Sequence, residues 1–177
     1  MFYNHTGGFL KKTEVLGNMA KSKYGKYVIS ELKLASKLSP SRQGPNPHHI
    51  PKIGEGGRIQ LLYLDNEILP HGLYTECVWI MPGGKLPWRV EPNSHTHEFD
   101  EVITFVGNNV EDPYDLGGEI EMWLEDEPQI LTRSCLIFVP KGMRHCPLVF
   151  RKVARPIFHT AMGTGGLYLQ DIKTNPD

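Results

Sequence analysis

The chain has 177 residues, of which 40% are hydrophobic and 22% charged, and its formal net charge is -1. This length fits one domain with a sizeable core, and the composition is that of an ordinary soluble globular protein. The near-neutral charge excludes a global field that would draw the chain to nucleic acid or to an anionic membrane. No apolar run reaches the roughly 20 residues that a membrane helix needs.

The N-terminal sequence and the cysteines point to a reducing compartment. The first residues lack the charged-then-apolar order of a secretory signal. Three cysteines, Cys77, Cys135 and Cys146, are an odd number and have no C-x-x-C spacing. We therefore interpret each one as a small buried hydrophobe, not as half of a disulfide, and we expect a cytoplasmic protein.

Residues 1–52 are predicted to form an N-terminal arm and loop that precede a barrel over 53–177. Within the arm, the stretch 24–35 fits either a strand or a short helix, and we favour the strand because the stretch contains the β-formers Tyr27, Val28 and Ile29. The Pro-, Ser-, Asn- and Gly-rich stretch 36–51 reads as a loop. Such an arm exceeds what a minimal barrel needs, and we expect it to pack on the barrel or on a partner's sheet edge, giving a homodimer.

Short β-prone runs separated by Gly/Pro turns fill the rest of the chain. Several strands at short, even spacing are typical of an all-β sandwich or barrel. In the run 119–125, acidic and apolar residues alternate, so one face of that strand is expected to be wet. The predicted runs are 58–64, 73–81, 100–107, 119–125, 129–132, 135–140, 146–150 and 156–162.

Candidate metal ligands are concentrated in the segment 93–107. His95 and His97 are two residues apart, so on an extended strand both imidazoles project from the same face. Continuing that parity places Glu101 on the same side, whereas Glu98 and Asp100 point away. Two imidazoles and a carboxylate match the facial arrangement that holds Fe(II) and leaves positions open.

A second polar position follows about 40 residues later, where an apolar strand runs into the turn Pro140–Gly142 and His145 begins the next strand. Together the two segments resemble the cupin family. The family's first motif, G-x5-H-x-H-x3-4-E-x6-G, is matched here by His95, His97, Glu101 and Gly107, which comes one residue early, with Arg89 replacing the leading Gly. Its second motif, G-x5-P-x-G-x2-H-x3-N, is matched by Pro140, Gly142 and His145, with Ser134 and Val149 replacing the leading Gly and the final Asn.

The resemblance implies a cupin-type jelly-roll β-barrel with one divalent transition metal inside it, held by His95, His97, Glu101 and His145. Three imidazoles and one carboxylate suit Fe(II), which we favour, and also Ni, Mn, Co or Zn, and discourage Ca²⁺. Four protein ligands leave one or two positions for water or substrate, as catalysis requires.

Four further residues are candidates for catalytic roles. Arg89 precedes His95 and is suited to clamping a substrate carboxylate. His159, Tyr74 and Glu76 lie on predicted wall strands and are candidate proton shuttles, although each is also explained as an ordinary wall residue. His48 and His49, in the Pro-rich loop, read as exposed residues or as extra ligands at the barrel mouth.

The sequence thus predicts a metalloenzyme that acts on a small organic substrate, with dioxygenase-type chemistry favoured. Isomerisation, decarboxylation and lyase chemistry fit the same site, as does a cupin that binds a small molecule without turnover. The expected partners are a small-molecule substrate and a second copy of the chain, with no nucleic acid and no membrane.

Overall fold

The structure is a computed structural model that describes residues 2–3, 9–10, 23–33, 54–91, 93–166 and 171–172. The chain divides into two compact units, Met1–Ser30 and Glu31–Asp177. In the first unit, β1 (Phe2–Tyr3) pairs antiparallel with β2 (Phe9–Leu10).

The strand predicted for 24–35 is wrong over its described part. Gly25–Tyr27 forms a single 3₁₀ turn, and no strand follows as far as residue 33. The side chains of Tyr27 and Val28 are exposed, so the β-formers there find no sheet to pack against. Residues 34 and 35 lie outside the described residues, as do His48 and His49.

The second unit contains two antiparallel sheets. In the first sheet, the long strands β3 and β4 pair at one edge, and β10 forms the other edge. The strand order is β10 (Cys135–Val139), β7 (Glu101–Val106), β12 (Ile157–Gly163), β4 (Tyr74–Gly83) and β3 (Glu55–Leu64).

The second sheet is organised around β11, which pairs with three different strands. The order along the sheet is β13 (Asp171–Ile172), β6 (His95–Thr96), β11 (His145–Val153), β8 (Asp115–Leu124) and β9 (Glu127–Arg133), with β5 (Trp88–Glu91) also pairing with β11.

The chain passes from one sheet to the other between successive strand groups. It runs from β4 in the first sheet to β5 and β6 in the second, back to β7, across to β8 and β9, back to β10, across to β11, back to β12 and across to β13. This alternation produces a double-stranded β-helix. The predicted all-β, cupin-type jelly roll is confirmed, and each of the eight predicted runs coincides with a strand. Among the described residues, no helix combines the length and the apolar character that crossing a membrane requires.

Period-2 alternation places the core between the inner faces of the sheets. Along β4, Tyr74, Glu76, Val78 and Ile80 are buried while the residues between them are less so. On β8, Ile120 and Met122 are buried, and the glutamates beside them face outward and pair with Arg151. The solvent-exposed face that was expected for this strand is therefore present.

Removing core volume between the sheets should destabilise the fold. Leu116 is fully buried in the core, so Leu116→Ala should lower the free energy of unfolding by about 2–5 kcal/mol through lost burial and a residual cavity. The matched control is Leu136→Ala on the edge strand, where the side chain is 64% exposed, and it should change stability by less than about 0.5 kcal/mol. Urea unfolding followed by circular dichroism measures both, and equal effects would contradict this description of the core.

Candidate metal centre

Strand pairing brings the two histidines of separate motifs together. His95 at the start of β6 lies directly opposite His145 at the start of β11. Directly opposed residues in an antiparallel pair point to the same face, and the two ring centroids are 4.3 Å apart. Both residues are buried, with relative exposures of 2% and 1%. One cross-strand residue pair thus brings together two histidines that lie far apart along the chain.

The carboxylate arrives from the opposite sheet. Glu101 begins β7 and is buried together with Ile103 and Phe105 on the inner face of that strand. Its Oε2 lies 3.2 Å from His145 Nε2 and 3.6 Å from His97 Nε2. The parity reasoning that selects Glu101 over Glu98 and Asp100 agrees with this geometry, since the latter two residues are exposed.

The turn that precedes His145 is hydrogen-bonded to the segment that carries His97 and Glu101. Gly142 N donates to His97 O at 2.9 Å, and Lys141 N donates to Asp100 Oδ1 at 2.8 Å. Gly142 has φ of +79°, a left-handed conformation that glycine adopts at little cost. The turn that leads into His145 therefore also holds the bend between His97 and Glu101.

An aromatic ring supports His97 from behind. Phe99 stacks on the His97 imidazole with centroids 4.7 Å apart and an interplanar angle of 16°. Two glycines make room for this ring, because a Cβ at Gly163 or Gly165 would come within 2.3 or 2.4 Å of Phe99 ring atoms. Phe99 thereby restricts the orientation of His97.

Backbone carbonyls set the tautomers of two histidines. His95 Nδ1 lies 3.2 Å from Asn93 O, and His145 Nδ1 lies 3.2 Å from Met143 O. A carbonyl oxygen only accepts, so each Nδ1 carries the hydrogen and donates it. In the neutral ring, Nε2 then carries the lone pair, as in a metal-ligating histidine whose other nitrogen is hydrogen-bonded.

Two overlapping groups of donor atoms result, each with its atoms within 4.8 Å of one another: His97, Glu101 and His145, and His95, His145 and Cys146. His145 belongs to both groups, and all five residues are buried. The four predicted ligands are thus gathered in one region, with His95 grouped through His145. From the sequence, Cys146 was interpreted only as a buried hydrophobe. Its position directly after His145 could have indicated that its thiol lies near the histidines.

Donors of this kind fit a divalent transition metal. Neutral imidazoles with one carboxylate, and a thiol at the edge, are nitrogen-rich and borderline in softness. They are poorly matched to Ca²⁺, which takes six to eight oxygens. In the neutral His145 ring, the Nε2 lone pair faces the Glu101 carboxylate at 3.2 Å, and a cation between two such acceptors would be attracted by both.

A cavity opens next to these donors, and three charged or polar side chains of the first sheet line its wall. They are Arg58 on β3, Glu76 on β4 and His159 on β12. Glu76 and His159 are only 4% and 7% exposed. Arg58 was missed by sequence reasoning, although a lone charge within the apolar run 58–64 is a signal that could have found it.

The four candidate catalytic residues separate into two groups. Glu76 and His159 line the cavity. Tyr74 is fully buried on the same face of β4, but its ring packs between Tyr63 and Phe99, and it is absent from the cavity wall. Arg89 is exposed, and strand alternation turns it away from the cavity that its neighbour Val90 lines.

The remaining cysteines have no role in the centre. Cys77 and Cys135 are free and half-buried. Burial, followed by the negative charge of Glu76, raises the pKa of the Cys77 thiol. Burial likewise raises the pKa of Cys135, so both thiols are held in the protonated form, which is a poor nucleophile.

Comparisons with known proteins give structural likenesses only. No family model and no curated protein matches the chain. Similar solved structures include DMSP lyases (TM-score 0.37, 15% identity, 58% of this chain and 44% of that one). A Klebsiella pneumoniae protein with a double-stranded β-helix domain has a TM-score of 0.42 and 15% identity, covering 80% of this chain and all of that one. An RmlC-like cupin from Shewanella frigidimarina has a TM-score of 0.36 and 18% identity, covering 74% and 93%.

The chain spans less than half of the DMSP lyase that it matches. The other two proteins are described as a double-stranded β-helix and a cupin, which is the fold that the strand order gives. At these identities and TM-scores, the likenesses carry no argument about activity, ligand or partner.

The packing of Phe99 behind His97 can be tested by a double-mutant cycle. Gly163→Ala should lower the free energy of unfolding by about 1–3 kcal/mol, because the new methyl group overlaps the Phe99 ring. In a Phe99→Ala background the same change should cost much less, since the overlap is gone. Met162→Ala, at a neighbouring side chain that is 43% exposed, serves as the control. Equal costs of Gly163→Ala in both backgrounds, measured by denaturant unfolding, would contradict the arrangement.

Proposed function

We propose that the protein is a metal-dependent enzyme with a mononuclear site formed by His95, His97, Glu101 and His145. The observation that carries the proposal is the buried contact between Glu101 Oε2 and His145 Nε2 at 3.2 Å. His145 Nδ1 donates to a backbone carbonyl, so in the neutral ring the two facing atoms are both acceptors. A cation bound by both converts this repulsion into attraction.

Fe(II) is the favoured metal, and Ni, Mn, Co and Zn are the alternatives. Three imidazoles and one carboxylate suit these ions and leave one or two positions open for a ligand. The cavity beside the donors opens to solvent and is lined mainly by apolar side chains with a few polar groups, which is the usual make-up of a small-molecule site. The substrate is accordingly a small organic molecule that reaches the centre through an oxygen atom.

Dioxygenase-type chemistry is our first candidate reaction. A bound iron would supply O₂ activation, and any of the candidate metals would supply a Lewis acid. The protein's own contribution is a wall of apolar side chains, including Val78, Ile80 and Phe150, which excludes water from the reacting groups. Imidazole orientations are fixed in advance by the carbonyls of Asn93 and Met143.

A second candidate is redox-neutral chemistry: isomerisation, decarboxylation or lyase activity. It is favoured by Glu76 and His159, two buried proton-accepting side chains on the wall of the same cavity. A non-catalytic binding role would use the same metal donors but would not explain why Glu76 and His159 lie on the cavity wall.

The ligand assignment predicts the metal content of matched variants. Wild-type protein should bind about one equivalent of a first-row divalent metal. Glu101→Gln and His97→Ala should each weaken binding about 10- to 100-fold or more, by analogy with the loss of supporting groups at metal sites. Glu98→Gln should have no effect, because Glu98 points outward and pairs with Lys141, whose hydrogen bond and charge lower the Glu98 pKa.

Elemental analysis after anaerobic loading and desalting measures this metal content. Circular dichroism confirms that each variant is folded. Cys146→Ser should retain the metal, which separates the proposed ligands from the group that contains the thiol. Full occupancy in Glu101→Gln, or no metal in wild type under any loading condition, would overturn the proposal.

The two candidate reactions differ in their need for oxygen. With the iron-loaded protein, a screen of small phenols, diketones and thiol acids in an oxygen electrode should show O₂ consumption that depends on Glu101. Anaerobic conversion of a substrate, followed by NMR, would instead assign the redox-neutral alternative. Glu98→Gln is again the matched control and should behave as wild type in both assays.

A further inference from the structure

One wall of the cavity carries a group of polar side chains that the ligand set does not use. Arg58, Glu76 and His159 come from β3, β4 and β12, which are neighbours in the first sheet. Glu76 and His159 lie on the inner face of that sheet, and all three residues line the same cavity as His95, Glu101 and His145. Burying a charged group is expensive unless it is paired or used, so this concentration of polar groups on an otherwise apolar wall calls for an explanation.

His159 is oriented with its acceptor nitrogen toward Glu76. Its ring stacks on Phe105, with centroids 4.8 Å apart and an interplanar angle of 15°. His159 Nδ1 lies 3.2 Å from Thr104 O and therefore carries the hydrogen. In the neutral ring the Nε2 lone pair is then directed to the Glu76 side, where Nε2 and Glu76 Oε1 are 3.8 Å apart. This separation is too long for a direct hydrogen bond, but it is short enough for one hydroxyl group in the cavity, placed beside both atoms, to be within hydrogen-bond distance of each.

Arg58 positions the carboxylate. Its guanidinium lies 3.3 Å from Glu76 Oε2, the oxygen that does not face His159. Gln60 accepts a second hydrogen bond from the same nitrogen, which limits the freedom of the Arg58 side chain. Glu76 Oε1 is consequently the oxygen directed to His159.

The charges of the cavity select the charge of its ligand. The charged side chains in its lining are Arg58, Glu76 and Glu101. One arginine and one divalent ion, set against two carboxylates, leave a single positive charge in a poorly solvated space. A ligand with one negative charge neutralises it, whereas a dianion would leave an uncompensated buried charge.

We propose that Glu76 and His159 form the general-base pair of this site, with Arg58 as its positioning residue, and that the substrate is a small monoanionic acid with a hydroxyl group, such as a 2-hydroxy acid. This inference rests on the proposed metal site, which supplies the positive charge that receives the anion. The substrate's carboxylate lies on the side of the metal donors, and its hydroxyl lies toward Glu76 and His159.

The chemical step is a proton transfer that needs no further reactant. The substrate O–H bond breaks, its proton moves to the Glu76–His159 pair, and the electron pair stays on the substrate oxygen as an alkoxide. Reversal of the same transfer returns the proton. Either candidate reaction of the site uses this step, since an alkoxide is the more reactive form of the substrate.

Binding of matched probes tests the inference without an activity assay. Glycolate and acetate carry the same single charge and differ by one hydroxyl group. Isothermal titration calorimetry on the protein loaded with one equivalent of Co(II) should show glycolate binding about tenfold more tightly than acetate, the size expected of one hydrogen bond to a charged group. Tartronate, the hydroxylated dianion, should bind more weakly than glycolate.

Glu76→Gln and His159→Gln should each reduce the preference for glycolate to about twofold or less. Co(II) content should be unchanged in both variants. Acetate affinity should be unchanged in His159→Gln and should rise in Glu76→Gln, because that variant removes one negative charge from the cavity; a merely structural role would not produce this pattern. Arg58→Gln should also reduce the preference, and Arg58→Lys should partly restore it, because it keeps the charge. Glu119→Gln, at a surface partner of Arg151, is the control carboxylate and should match wild type.

The outcomes separate this inference from the proposed function. Full Co(II) occupancy with equal binding of glycolate and acetate would overturn the inference and leave the metal site standing. The inference is equally overturned if Glu76→Gln, which is close to isosteric, keeps the full preference for glycolate. Failure of wild type to hold any metal would overturn the proposed function, and the inference with it.

Discussion

The contact between Glu101 and His145 is the constraint on which the rest of the arrangement depends. It joins a carboxylate from the first sheet to an imidazole from the second, and both side chains are almost completely removed from solvent. A buried carboxylate is costly unless its charge is balanced. The charge balance of this buried pair therefore constrains which groups can lie next to it in the space between the sheets.

The two sheets contribute different chemistry to the cavity. The three clustered histidines belong to the second sheet or to the bend that leaves it, and each is held by strand pairing, a backbone carbonyl or an aromatic neighbour. The first sheet supplies all three charged side chains of the lining, together with His159. The cavity is thus lined by imidazoles of the second sheet on one side and by carboxylates, a guanidinium and an imidazole of the first sheet on the other.

Most of the fold was predictable because its signals are local. Alternating hydrophobicity and Gly/Pro turns mark every long strand after residue 54, and the H-x-H pair with a later histidine marks the donors. The short strands β5 and β6 were missed, since a two-residue strand has no period and Trp88–Glu91 is flanked by prolines. The predicted strand at 24–35 had β-formers but no sheet to join.

The cavity wall was predictable only in part, because it depends on which strands become neighbours. Tyr74 and Glu76 are two residues apart and share one face of β4, but this alternation does not tell how far along the strand the cavity reaches. Tyr74 is at the end that packs against Tyr63 and Phe99, and Glu76 is next to the open space. Arg58 meets Glu76 because β3 and β4 are neighbours in the sheet, which no local pattern reveals.

The carbonyl partners of His95 and His145 have a thermodynamic consequence for the empty protein. Hydrogens on both Nδ1 atoms leave Nε2 of each neutral ring as an acceptor, and Nε2 of His145 faces the Glu101 carboxylate at 3.2 Å. Two acceptors at this distance repel each other in a poorly solvated space. A cation that bound both atoms would relieve this repulsion in the native state alone, and its concentration would then be linked to the melting temperature.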